Sequence, residues 1–222
     1  MPRRLSAGQR TASGGPVDVE RAAASELERL IFLSDGVFAI AMTLLAIDLA
    51  LPEVTSESAA DLGQRLLALG PRFFSFALSF LVIASYWRSH LRVFRYVVRL
   101  DGRFVWLNLV LLLGIAFLPF PTSVLGNYGD DSVSVSLYAG TLAAIGFVVL
   151  AMWLYATTGR RLVTHEVSSR EIQHTMVRAV AVPAIFLLSI GIAQLDPNAA
   201  KYSWVAIAFA TIAVDRYFKI AT

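Results

Sequence analysis

The sequence predicts an all-α, polytopic membrane protein of six transmembrane helices, and three observations carry that prediction. The composition is 57% hydrophobic and 16% charged with a mean hydropathy of +0.65, more apolar surface than a water-soluble domain of this size can cover. Six apolar segments recur along the chain, each near the roughly 17–25 residues that a bilayer core of about 30 Å requires. The basic residues are also segregated. With the N-terminus placed inside, all of the 19 Lys+Arg except Arg65, Arg72 and Lys201 fall on one side, so both termini are expected in the cytoplasm.

Taken in order, residues 1–24 scatter Arg3, Arg4, Arg10 and Arg21 among Gly14, Gly15, Pro16 and small residues. With no apolar h-region, they read as a disordered cytoplasmic tail rather than a signal peptide. Residues 25–222 form one membrane domain with helices at about 28–51, 71–90, 104–125, 135–157, 176–195 and 201–219. Ser25 with Glu28 makes a capping-box pattern that would start the first helix in water. Leu62 to Leu69 reads as an interfacial extension of the second helix, broken at Gly70-Pro71. Pro119 and Pro121 flank Phe120 and mark a kink or a helix end. Glu53, Glu57, Asp61, Asp130, Asp131 and Asp196 fall in the outer loops, either as an acidic rim that concentrates cations or as ordinary solvated loop residues.

The first span carries the chemistry. It is apolar from Glu28 to Leu51 yet holds Ser34, Asp35, Thr43 and Asp48. An acid inside a span costs about 2.5–3.5 kcal/mol or more, so it is expected to face protein or water rather than lipid. Ile40, Leu44 and Ile47 share one stripe at i, i+4 and i+7, which periodicity leaves open as pore-lining, lipid-facing or packing. Ala39, Thr43, Ala46 and Ala50 form a neighbouring stripe of small residues that permits close helix approach. Thr43 could bond back to the Ala39 carbonyl or turn its hydroxyl to a pore. Asp48 is an interfacial acid or, at a pore mouth, an attractor of cations.

Arg29 lies on a different helical face from Asp35, which argues against an intrahelical ion pair. His90 and Arg88, together with Asn108 and Trp106, should share the membrane depth of Asp35. The expectation is a structural network drawn from Arg29, Ser34, Asp35, His90, Trp106 and Asn108, in which His90 and Asn108 satisfy Asp35 and Ser34. The alternative is that Asp35 attracts cations in a vestibule.

Arg29, followed after three residues by Leu33, Ser34, Asp35 and Gly36 and then by VFAIAMTLL, resembles the signature that opens the first helix of the transmembrane protein 175 family. Leu33 stands where that family has Phe, with Phe32 beside it. YWRSHLRVF (Tyr86 to Phe94) and WLNLVLLLGIAFLPFPTSVL (Trp106 to Leu125) resemble the family's second and third helices. The resemblance spans about the first two thirds of the chain. It implies a potassium-permeable channel, a homotetramer of six-span subunits in a lipid bilayer, and a pore narrowed at Ile40, Leu44 and Ile47 of helix one. Such an apolar ring would strip water from an ion and penalise sodium more than potassium.

Other classes are disfavoured. The chain has no cysteine and three scattered histidines, so neither a disulfide, a dedicated metal centre nor a cofactor is expected, and potassium would be only a transient occupant. No P-loop, HExxH or GxSxG motif points to an enzyme, and there is no TVGYG carbonyl filter. The arginines from Arg88 to Arg103 suit anionic lipid at a membrane's inner face better than nucleic acid. The competing functions are a proton-coupled transporter with Asp35 and His90 as relay, and a non-conducting scaffold. Lys201 and Lys219 are the only lysines, a usage that suggests a GC-rich genome and a bacterial inner membrane.

Overall fold

Apolar runs with few interior breakers fold as helix almost throughout. The computed structural model describes residues 16–49, 59–163 and 167–204. In order they form α1 (Pro16–Leu44), a 3₁₀ turn (Leu45–Leu49), α2 (Ala59–Ala68), α3 (Gly70–Tyr96), α4 (Gly102–Phe117) and α5 (Pro119–Asn127). Then come α6 (Ser132–Thr157), a second 3₁₀ turn (Thr158–Arg160), α7 (Ser169–Ala193) and α8 (Pro197–Ser203). Among the described residues there is no β-strand, only a bridge between Val97 and Val163 that ties the ends of α3 and α6 together.

Four segments are long and apolar enough to cross a bilayer: Ala24–Ile47, Gly102–Asn127, Ser132–Arg160 and Ser169–Ala193. Leu62–Ala68 with Gly70–Tyr96, bent by 45°, makes a fifth when counted as one span. That bend falls where Gly70-Pro71 predicts a break, because proline suits the first turn of a helix and not its interior. The expected helix at 201–219 lies almost wholly outside the described residues, as do residues 1–15 of the expected tail.

Two expected boundaries are corrected. The first helix begins at Pro16, well upstream of Ser25, so residues 16–24 are helical and Ser25 is interior. The stretch VERAAASELERL is rich in strong helix formers and carries the helix through the apparent cap. The genuine capping box lies at Ser168, whose hydroxyl accepts from the Glu171 amide while the Glu171 carboxylate takes the Ser168 N–H. The first span also does not stay α-helical to residue 51. It tightens into the 3₁₀ turn at Leu45, so Ile47 departs from the strict i+7 register.

Hydrocarbon outside the bundle is as apolar as the side chains within, so close packing and buried hydrogen bonds hold the helices together. The Tyr86 hydroxyl of α3 donates to the Leu142 carbonyl of α6 at 2.6 Å. The Thr122 hydroxyl of α5 donates to Ser79 Oγ of α3 at 2.8 Å, and Ser79 pairs with the Tyr138 hydroxyl of α6 at 2.9 Å. Gly146 on α6 permits the approach of α7. A Cβ there would stand 3.0 Å from Cβ and 3.1 Å from Cδ of Pro183, a rigid ring that cannot swing away. Gly146→Leu is therefore expected to destabilise the fold by about 1–3 kcal/mol, read as a lower melting temperature of the detergent-solubilised protein.

Of the outer-loop acids, Glu53, Glu57 and the Asp61 side chain lie outside the described residues, and the other three have local work. Asp131 caps α6 by accepting from the Val133 and Ser134 amides, Asp196 caps α8 by accepting from Asn198 and Ala199, and Asp130 pairs with Lys201 at 3.6 Å. On the opposite end, Asp101 caps α4 through the Phe104 amide and accepts from the Tyr155 hydroxyl, beneath the Arg161 guanidinium stacked 5.0 Å from the Tyr155 ring. Partial burial is the largest single influence on the Asp101 carboxyl and pushes its pKa up. The Tyr155 and Phe104 hydrogen bonds with the Arg161 and Arg103 charges together outweigh it and hold the pKa below its ordinary value.

Candidate functional site

α1 has two faces of opposite character. Leu30, Ser34, Phe38, Ala41 and Leu45 point into the bundle and are buried, with Ser34 and Phe38 fully so. On the other side Ile40 is 59% exposed, Leu44 40% and Ile47 68%, and Ala39, Thr43 and Ala46 are exposed beside them. A single chain thus holds the expected stripe clear of its own core. Ala50 and the Asp48 side chain lie outside the described residues.

Thr43 does not bond to Ala39. Its hydroxyl donates to the Ile40 carbonyl at 2.8 Å, one residue nearer, as the helix tightens toward the 3₁₀ turn. The proton is engaged while the oxygen lone pairs remain on the exposed face.

The inner face is held by a directional chain of hydrogen bonds. The Ser34 hydroxyl donates to the Leu30 carbonyl at 2.8 Å, Asn108 Nδ2 donates to Ser34 Oγ at 3.0 Å, and Asn108 Oδ1 pairs with His90 Nε2 at 2.9 Å. Because the Asn108 carbonyl oxygen can only accept, His90 carries its proton on Nε2. The imidazole is packed between the rings of Phe94 at 4.3 Å and Phe38 at 5.6 Å. Ser34, His90 and Asn108 are all buried, and the chain joins α1, α3 and α4.

Asp35 stands apart from that chain, contrary to the expected pairing with His90 and Asn108. Its Oδ1 accepts from Trp87 Nε1 at 2.8 Å, since Asp35 follows Ser34 by one residue and so points about a hundred degrees round the helix toward α3. Arg29 and Trp106 do not join the network either. Both side chains are exposed, Trp106 at 70%, and Arg29 lines an open groove with Glu26 and Asp101. The Asp35 and His90 side chains needed for a proton relay have different hydrogen-bond partners.

Trp87 was the residue that sequence reasoning missed. It precedes His90 by three residues and shares its helical side, and an indole N–H in a membrane needs an acceptor. The Ser79, Thr122 and Tyr138 cluster was missed as well, because hydroxyls in apolar runs pass for neutral filler. Trp87→Phe should lower stability by about 1 kcal/mol through the lost donor, whereas Asp35→Asn, which keeps the acceptor, should melt close to wild type in detergent.

The arrangement positions a helix rather than making bonds, which defines the class: a helical, multi-pass membrane protein whose first span is fixed on one face and presented on the other. The comparisons with known proteins agree. The family profile described as Endosomal/lysosomal potassium channel TMEM175 matches residues 29–119. A potassium channel of Chamaesiphon minutus is 34% identical over 80% of this chain and 89% of its own, and one of Streptomyces collinus is 32% identical over 76% and 83%. A crystal structure of a lysosomal potassium-selective channel TMEM175 homolog from Chamaesiphon minutus superposes with a TM-score of 0.75 at 30% identity, covering 86% of this chain and 98% of that one. The chain belongs to the TMEM175 family, and it is a channel, not an enzyme.

Proposed function

We infer that the protein is a potassium-preferring cation leak channel, assembled as a homotetramer around a pore lined by α1. The observation that carries this reading is the exposure of Ile40, Leu44 and Ile47 on a membrane-spanning helix whose opposite face is buried at Phe38, Ala41 and Leu45. Large side chains rotated out of their own subunit's core suit a ring formed with other copies of the chain. The potassium channels named among its relatives support the choice of ion.

In this reading the ring forms the narrowest passage. It dehydrates the ion with little replacement, so the more tightly hydrated sodium is disfavoured, and the Thr43 oxygen offers a lone pair beside it. The preference is modest because no carbonyl cage replaces the lost water. Asp48 stands at the outer mouth. Both termini lie in the cytoplasm of a bacterial cell with the channel in the inner membrane, as the segregation of arginine supports. Reversal potentials of proteoliposomes under separate potassium, sodium and proton gradients test the reading. A potential that follows potassium most closely is expected. One that follows protons alone would replace it with proton transport, and no current at all with a scaffold.

A further inference from the structure

The exposed stripe of α1 continues past Ile40 toward the start of the helix. Arg29 precedes Ile40 by about three helical turns and Glu26 precedes Leu44 by about five, so both project from the side that carries the large exposed residues. Both are exposed. Gly36, between Arg29 and Ile40, is exposed as well and has nothing within 4 Å of the place where a side chain would begin. A clear run therefore joins the charge to the apolar stripe.

Among the described residues no acid pairs with Arg29. Asp35 turns to Trp87. Asp101 faces the same open groove but is taken by the Phe104 amide and the Tyr155 hydroxyl, with Arg161 and Arg103 as the cations that act on it. Glu26 lies one turn nearer the end of the helix and offsets the charge in part. A guanidinium keeps its charge at every pH the protein meets, and charges of one sign facing a passage with low-dielectric walls act on ions well beyond contact distance. Repeated once per subunit, such a charge depletes cations at one end of a pore and leaves the other end alone.

We propose that Arg29 forms a positive ring at the cytoplasmic end of the pore, and that this ring makes the channel pass potassium inward more readily than outward at equal and opposite voltages. Outward current draws its ions from the depleted end, whereas inward current draws them from the outer mouth. Glu26 weakens the ring without cancelling it. The proposal rests on the pore of α1 and on the cytoplasmic termini inferred above.

The test is the current of the full-length protein in excised membrane patches under symmetric potassium chloride. In about 0.1 M salt, wild type should pass several-fold more inward than outward current. Arg29→Gln should raise the outward current several-fold with little change inward, Arg29→Lys should keep the wild-type asymmetry, and Glu26→Gln should steepen it. In about 1 M salt, where the screening length falls to about 3 Å, wild type and Arg29→Gln should converge. Arg99→Gln, which removes an exposed charge from the loop after α3, should match wild type. A change in Arg29→Gln that is equal at both polarities, or that salt leaves untouched, would overturn the ring, and so would an equal effect of Arg99→Gln. Because the chain has no cysteine, Arg29→Cys gives one attachment point per subunit for a spin label. Its distances between subunits should stand as the side and diagonal of a square and be shorter than those from Arg99→Cys. Longer distances than from Arg99→Cys would take Arg29 off the axis and overturn the proposal. Potassium current without asymmetry would overturn the ring and leave the pore standing, whereas a wild-type chain that carries no potassium current would remove both.

Discussion

Ile40→Asn is expected to raise conductance several-fold and to bring the preference for potassium over sodium down toward unity. Ile40 is 59% exposed on α1 and sits one turn before Leu44. If these side chains close the passage, a shorter amide both widens it and offers hydrogen bonds to water, so the narrow part no longer resists hydration. The control is Leu45→Asn. Leu45 is 1% exposed and follows Leu44 by about a hundred degrees of rotation, so an amide there strikes the packing of α1 on the rest of its subunit. That variant should lose yield and thermal stability without gaining current. Proteoliposome flux on the two variants, matched for assembled protein, separates them. Current opened by Leu45→Asn while Ile40→Asn stays wild-type in flux and selectivity would put the pore on the other side of the helix.

Asn108→Leu is expected to be the most destabilising single change in the tether. Leucine fills nearly the same volume, yet it removes the acceptor of His90 Nε2–H and the donor to Ser34 at one stroke. Buried polar groups left alone cost about 1–3 kcal/mol each, with membrane values toward the low end, so a loss of about 2–4 kcal/mol is expected. For a chain of this size that corresponds to a melting point lower by roughly 5–12 °C. Ser34→Ala breaks only the far link and should cost about half as much. Equal melting of Asn108→Leu and wild type would mean that helix packing, and not this chain of hydrogen bonds, sets the position of α1.

Much of the architecture was legible beforehand because the bilayer permits so few solutions. A span must satisfy its own backbone, so long apolar runs become helices, and the break at Gly70-Pro71 follows from proline alone. The stripe of Ile40, Leu44 and Ile47 was legible as a stripe from spacing. Capping was less so. Ser25 with Glu28 and Ser168 with Glu171 present the same pattern, but only Ser168 leaves the helical conformation, at φ −68° and ψ 148°. What lies upstream decides whether such a pattern is a boundary, and the run before Ser25 simply continues the helix.

The sequence by itself determined the class of protein, the four long apolar spans at Ala24–Ile47, Gly102–Asn127, Ser132–Arg160 and Ser169–Ala193, and the polar residues that needed partners, since each follows from the cost of polarity in hydrocarbon. Only the tertiary structure decided which partner each residue takes. Ser34 and Asp35 are adjacent in the chain, and a rotation of about a hundred degrees sends one to Asn108 and the other to Trp87. The same holds for the faces of α1. Periodicity groups Ile40 with Leu44, but burial of Phe38, Ala41 and Leu45 against the neighbouring helices is what turns that group outward. Partner choice depends on the rotation and depth of whole helices, set by contacts between residues far apart in the chain, and no local pattern encodes it.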